Sequence, residues 1–186
     1  VDKSTTATMK MTMTAAGMDI TADGQLDYTT TPPEMSVEMM MPMLGEVPID
    51  LRIVGGNAYV NMGAMTGDKF VMSSVDDPDG PLGDMSEFTD SFDPVQSMEN
   101  LGDGFSKVVY VGQDSLDGDD VAHYAVTVDT SKTMGDALDS LGSSSGAGTL
   151  PEELTYDAWF DGDNRIRKID MKLGDMGSLT MEVSGW

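Results

Sequence analysis

The sequence predicts an α+β chain dominated by one antiparallel sheet of about ten strands, with two short helices. Three observations carry that expectation. Apolar and polar residues alternate with period two along most of the chain. The alternating runs are joined by turns of hairpin length rich in Gly, Asp and Asn. Apolar residues at helical spacing are confined to two short segments.

The elements follow in chain order. TATMKMTMTA places Met9, Met11 and Met13 on one face of a strand, with Lys10, Thr12 and Thr14 on the other. Gly17 marks a turn, and MDITADGQLDYTTT continues as a second strand in which Asp23-Gly24 reads as a bulge. In PEMSVEMMMPM, Met35, Val37, Met39, Met41 and Met43 share one face; Pro42, with no N–H to give, suits a strand end. IDLRIV sets Ile49, Leu51 and Ile53 against Asp50 and Arg52. Gly55-Gly56-Asn57 is a hairpin signal, AYVNM returns, and DKFVMSSV makes a sixth strand.

Residues 76–90 are rich in Asp, Gly and Pro and read as loop. SFDPVQSMENLGDG then carries a helix signature: Asp93 as N-cap, Pro94 at the first helical position, Gln96 at the capping-box position and Gly102 as stop. Val95, Met98 and Leu101 form its apolar stripe. FSKVVYVGQ and VAHYAVTVD are strands joined by LDGDD. SKTMGDALDSLG is the second helix, with Met134, Leu138 and Leu141 at helical spacing and Gly142 as stop. GSSSGAGT is a connector, and LTYDAWFD, RIRKIDMKLG and SLTMEVSGW close the chain as strands.

The 186 residues suit one domain, 1–186, able to bury most of the surface its unfolded chain exposes. Ten basic against thirty-three acidic residues give a net charge of −23, which opposes nucleic acid and anionic membrane as direct partners. Without cysteine there are no disulfides, thiolate chemistry or Cys-type metal sites. No apolar run approaches the ~18 residues of a membrane span. The opening VDKSTTATMK, lacking an initiator Met, reads as a mature fragment whose signal peptide has been removed.

Two runs resemble a known family. One is a Gly, a tight Asp-Gly turn and a His-Tyr strand ending Val-Asp-Thr: Gly112, Leu116-Asp117-Gly118, His123-Tyr124 and Val128-Asp129-Thr130. The other is Leu150-Pro151, Tyr156-Asp157, Trp159, Asp161, Arg165 and Arg167. With the order of elements around them, they resemble the LppX–LprAFG family of actinobacterial cell-envelope lipoproteins, which share the fold of the LolA lipoprotein carrier. The resemblance implies a single sheet curled into a half-barrel, helices packed on its concave side, and a lipid-accommodating cavity between. It further implies export, lipidation at a cysteine upstream of Val1, and anchoring to the outer face of the cytoplasmic membrane.

Enzyme chemistry finds little support. His123 stands alone in mid-strand, where a packed or surface role is the ordinary one. No nucleophile elbow, Walker loop or Gly-x-Gly-x-x-Gly occurs, and GSSSGAG lacks the flanking strand and helix a nucleophile turn needs. The acidic runs DDPDGPLGD and DSLDGDD do not fit a calcium-loop pattern. No metal or other cofactor is expected.

The eighteen methionines carry the functional expectation. Thioether sulfur suits Cu(I), but these residues continue strand faces made by Val37, Ile49, Leu51 and Ile53, which points inward. A packed core favours Leu, Ile and Val, which define rotamers better; flexible methionine suits a cavity that moulds around acyl chains. The expected cavity lining is Met9, Met11, Met13, Met35, Val37, Met39, Met41, Ile49, Leu51, Ile53, Met98, Leu138, Met171 and Met181. Arg165 and Arg167, read as sharing a face with Ile169, Met171 and Leu173, are candidates for an anionic headgroup; ion pairing with Asp161 or Asp163 is the alternative. The expected function is a non-enzymatic envelope lipoprotein that holds a lipid or acylated glycolipid for transport or presentation. A sensor or protein-interaction domain on the same fold is the alternative, and a methionine-rich copper carrier the third reading.

Overall fold

The structure is a computed structural model that describes residues 6–15, 17–30, 33–40, 42, 47–77, 79–81, 104–130, 152–174 and 177–186. Among the described residues eleven strands are formed: β1 (Thr6–Ala15), β2 (Met18–Asp27), β3 (Glu34–Met40), β4 (Pro48–Val54), β5 (Asn57–Asn61), β6 (Val71–Ser74), β7 (Phe105–Leu116), β8 (Asp119–Asp129), β9 (Glu153–Phe160), β10 (Ile166–Lys172) and β11 (Gly177–Ser184). They make one antiparallel sheet in the order β6-β5-β4-β3-β2-β1-β11-β10-β9-β8-β7. Each alternating run of the sequence became a strand, because a period-two pattern offers a sheet one face to bury and one to hydrate. The described residues include a one-turn 3₁₀ helix, Gly63–Thr66. The two predicted helices lie outside the described residues, so the observed architecture is the sheet.

The chain divides into two compact units. The first comprises Val1–Thr12, Met18–Ser97 and Val183–Trp186. Its hairpins run in regular register: Leu26 opposite Met35, Gly24 opposite Val37 and Ala22 opposite Met39, then Met35 opposite Ile53, Val37 opposite Leu51 and Met39 opposite Ile49. The β2–β3 register through Asp23 and Gly24 is unbroken, so the bulge read there does not occur in that pairing. Gly55 and Gly56 both take positive φ, as the two-residue hairpin turn requires. β6 begins at Val71 rather than at Asp68, because Gly67 and Asp68 adopt left-handed backbone that no strand can contain.

The second unit comprises Met13–Gly17 and Met98–Glu182. Val126, Val128, Leu154, Tyr156, Ala158 and Met171 form its buried cluster, with Tyr124, Phe160, Ile169, Leu173 and Leu179 packed against it. Asp117 and Gly118 take positive φ in the turn between β7 and β8. β10 is bulged between Ile166 and Lys168 where it meets β9.

Candidate functional site

In the first unit, strand alternation gathers the predicted residues on one buried face. Met9, Met35, Val37, Leu51, Ile53 and Ile49 are all 9% exposed or less, and Ala22, Leu26 and Ala58 complete the patch. Met39 is half-buried opposite Ile49, and Met11 is half-buried one alternation beyond Met9. Gly24 is closely packed at the centre: a Cβ there would stand 3.0 Å from Val37 Cγ2 and 3.5 Å from Met9 Cε. The Ser73 hydroxyl is buried with no hydrogen-bond partner among the described residues.

A cleft of about 470 Å³ opens in this unit, lined by Ala7, Leu26, Met35 and Val54 together with Gln25, Asp27, Glu34 and Ser36. Of the predicted lining set, Met35 reaches it. Its polar margin is held in place. The Thr29 hydroxyl and N–H donate to Asp27 Oδ1 at 2.6 and 2.8 Å, and they hold that carboxyl below its ordinary range. Glu34 Oε1 accepts the Gly55 N–H at 3.2 Å. Tyr28, stacked on Trp186 at 5.9 Å, has its phenol pushed up by burial.

The remaining predicted residues are distributed elsewhere. Met13, Met171 and Met181 belong to the second unit; Met171 is buried there opposite Tyr156, and Met181 is half-buried opposite Ile169. Met41, Met98 and Leu138 lie outside the described residues.

Arg165 and Arg167 are held by acids of their own unit. Arg165 Nε donates to Asp161 at 2.9 Å and its Nη2 pairs with Asp163 at 3.0 Å, while Arg167 Nη1 donates to Asp119 at 3.0 Å. The bulge between Ile166 and Lys168 breaks the alternation, so these arginines are out of step with Ile169 and Met171. That corrects the expectation of a shared face, which assumed an unbroken strand.

Sequence reasoning missed a polar cluster on the other face of the second unit. His123 and Trp159, paired across β8 and β9, stack at 4.5 Å and 10°. The His123 Nε2 ring N–H donates to Asp157 Oδ1 at 2.7 Å. The Trp159 indole N–H donates to Asp114 at 3.1 Å, and Lys168 Nζ stands 5.4 Å from the indole ring. The Ser115 N–H first, and then the indole, hold the Asp114 carboxyl below its ordinary range. The signal was present in the sequence, since His123 and Trp159 fall on the polar phase of two strands, but only the register places them opposite each other. The side chain hydrogen-bonded to His123 is a carboxylate, which orients the imidazole. Among the described residues no three His, Cys, Asp or Glu side chains gather in a metal-binding group.

Two solved structures share this architecture. The lipoprotein LppX of Mycobacterium tuberculosis superposes with a TM-score of 0.63 at 18% identity, over 98% of this chain and 86% of that one. LprF from Mycobacterium bovis superposes with a TM-score of 0.59 at 14% identity, over 97% of this chain and 84% of that one. No protein-family model matches the chain, and no curated protein matches it in sequence. At these identities the likeness is one of fold: the single large antiparallel sheet expected from the sequence resemblance is observed, and the helices expected on its concave side lie outside the described residues.

Proposed function

We propose that this chain is a non-enzymatic cell-envelope lipoprotein domain that binds a lipid or acylated glycolipid through its acyl chains, for transport or presentation. One observation carries the reading: a sheet with the fold of LppX bears a buried face in which Met9 and Met35 interleave with Val37, Leu51 and Ile53. Burial of each acyl CH₂ against such a face contributes ~0.8 kcal/mol, so specificity comes from shape and chain length rather than from polar contacts. In this reading Met11 and Met39, half-buried in the same unit, extend the lining. Arg165 and Arg167 are not assigned a headgroup, because both guanidiniums are engaged by carboxylates. The domain is exported and tethered to the outer face of the cytoplasmic membrane by an N-terminal lipid anchor.

The alternative, an envelope interaction domain, is favoured by β7. This strand ends the sheet order and exposes Phe105, Val108, Val109, Tyr110 and Val111, a surface suited to strand addition. Native mass spectrometry of protein purified from its own host, followed by organic extraction, separates the two. A diacyl or triacyl species released with the protein supports the carrier. Protein that is lipid-free and takes up no acyl probe in titration sinks it and leaves the interaction domain.

A further inference from the structure

One end of the first unit's sheet turns apolar side chains outward. Met40 closes β3, Val47 precedes β4, and Phe70 and Met72 stand at the start of β6; they are 38%, 40%, 40% and 56% exposed. The register sets these positions at the same end, with Met40 opposite Pro48, Asp50 opposite Asn61 and Val60 opposite Val71. Beyond them projects the 3₁₀ turn Gly63–Thr66, whose Met65 is 72% exposed.

The turn is firmly built beneath that tip. Asn61 Oδ1 accepts the Gly63 N–H at 2.9 Å and the Thr66 hydroxyl at 3.0 Å, and Thr66 Oγ1 accepts the Met62 N–H at 3.1 Å. The Asp68 N–H donates to the Gly63 carbonyl at 2.8 Å. Gly63 has a φ of +57°, and Val47 packs where a Cβ would stand. Methionine at the apex of a well-tied turn is therefore presented to solvent rather than left over from a core.

The local charge is unlike that of the rest of the chain. Residues 50–75 balance two bases, Arg52 and Lys69, against two acids, Asp50 and Asp68, in a protein of net charge −23. Arg52, paired with Asp50 at 2.7 Å, also lies over the Phe70 ring at 4.9 Å. Apolar side chains bordered by cations are the composition of a surface that sits at a lipid headgroup boundary. The stretch is also one where no local excess of acid adds to the repulsion of anionic phosphate by the molecule as a whole.

We propose that this end of the sheet docks on a lipid bilayer, with Met65 and Phe70 entering the headgroup region and Lys69 meeting phosphate. The occupant is a bilayer because the tip is a projection with a flexible methionine at its apex, which a fluid phase accepts without a matching groove. The inference rests on the lipid-carrier reading, in which a domain that loads acyl chains must first reach the membrane.

Vesicle flotation of the whole chain tests it, with phosphatidylcholine vesicles containing a minority of phosphatidylglycerol. The wild-type chain floats with the vesicles. Met65→Asp with Phe70→Asp lowers the bound fraction about tenfold, and Lys69→Glu weakens binding only to vesicles that contain the anionic lipid. Ser74→Asp, exposed at the opposite end of β6 and outside the cleft lining, floats as wild type does. Failure of the wild type to float, equal flotation of the double variant, or equal loss in Ser74→Asp overturns the proposal; a concentration-dependent dimer lost in Met65→Asp assigns the tip to a second copy instead. Acyl-probe uptake is read in parallel: uptake without flotation sinks the docking surface and spares the carrier, whereas flotation without uptake does the reverse.

Discussion

Gly24 shows how closely the buried methionine face is fitted. It is buried mid-strand opposite Val37, and an added Cβ would meet Val37 Cγ2 at 3.0 Å, the Ser36 carbonyl at 3.4 Å and Met9 Cε at 3.5 Å. Gly24→Val places two further methyl groups in that space, so it should cost ~1–3 kcal/mol through overpacking. Val37→Ala added to it should recover part of the loss, since the two sites share the crowded volume. Urea denaturation of the single and double variants measures both effects. Wild-type stability in Gly24→Val would show that the face is loose, and non-recovery in the double variant would place the strain elsewhere. The sequence showed a glycine beside an aspartate and suggested a bulge. The role of the glycine depends on which residue of β3 lies across from it, and strand pairing is not written in local sequence.

At the scale of elements, the hairpin between β9 and β10 is organised by one carboxylate. Asp161 accepts the Arg165 N–H, the Asp163 N–H and the Arg165 guanidinium, each at 2.9 Å. Burial pushes this carboxyl up, but the Arg165 N–H and guanidinium and the Asp163 N–H together outweigh it and hold it below its ordinary range. A carboxyl depressed in the folded state contributes stability that is fully present above its unfolded value of about 4. That contribution is lost as pH falls through the lower folded value. Asp161→Ala should therefore cost ~2 kcal/mol at neutral pH, and its melting curve should converge on that of the wild type as the solution is acidified below the carboxylate range. A gap that stays constant with pH would show that the hairpin depends on packing and not on this charge. The same hairpin marks the limit of sequence reading. The pairing of Arg165 with Asp161 and Asp163 was open to view as a short-range alternative, whereas the bulge at Ile166–Lys168, which turns Arg167 to Asp119, was not. The methionine faces were more legible. The inward phase of β1, β3 and β4 follows from alternation alone, and Met9, Met35, Val37, Ile49, Leu51 and Ile53 are buried as that phase requires. The tip at Met65 was not legible, because the start of β6 hid within an alternating run that Gly67 and Asp68 in fact interrupt.

At the scale of the whole molecule, charge sets the terms of stability. Were each of the ten basic residues to neutralise one acid, twenty-three acids would still stand uncompensated. The pairs that do form are mostly on the surface, such as Lys10 with Asp23 at 4.0 Å and Lys168 with Glu182 at 3.9 Å, and exposed pairs contribute about 0–1 kcal/mol each. Salt weakens these attractions and the repulsion alike, but the repulsion sums over many more pairs of like charge and acts at longer range. Screening should therefore stabilise the fold. The melting temperature should rise as sodium chloride is raised from low ionic strength to ~0.15 M, where the screening length falls to ~8 Å, and level off beyond it. Potassium chloride should act equally, since screening depends on ionic strength and not on the cation. A melting temperature that falls with salt would mean that the ion pairs outweigh the repulsion. A far larger rise with calcium chloride at matched ionic strength would reveal cation binding by the acidic runs at 76–90 and 114–120, which the screening account does not contain. The same comparison bears on membrane docking: salt relieves repulsion within the acidic body and between that body and an anionic vesicle, and it weakens the single attraction of Lys69 for phosphate. Stability and adsorption to anionic-lipid vesicles should therefore rise together with sodium chloride.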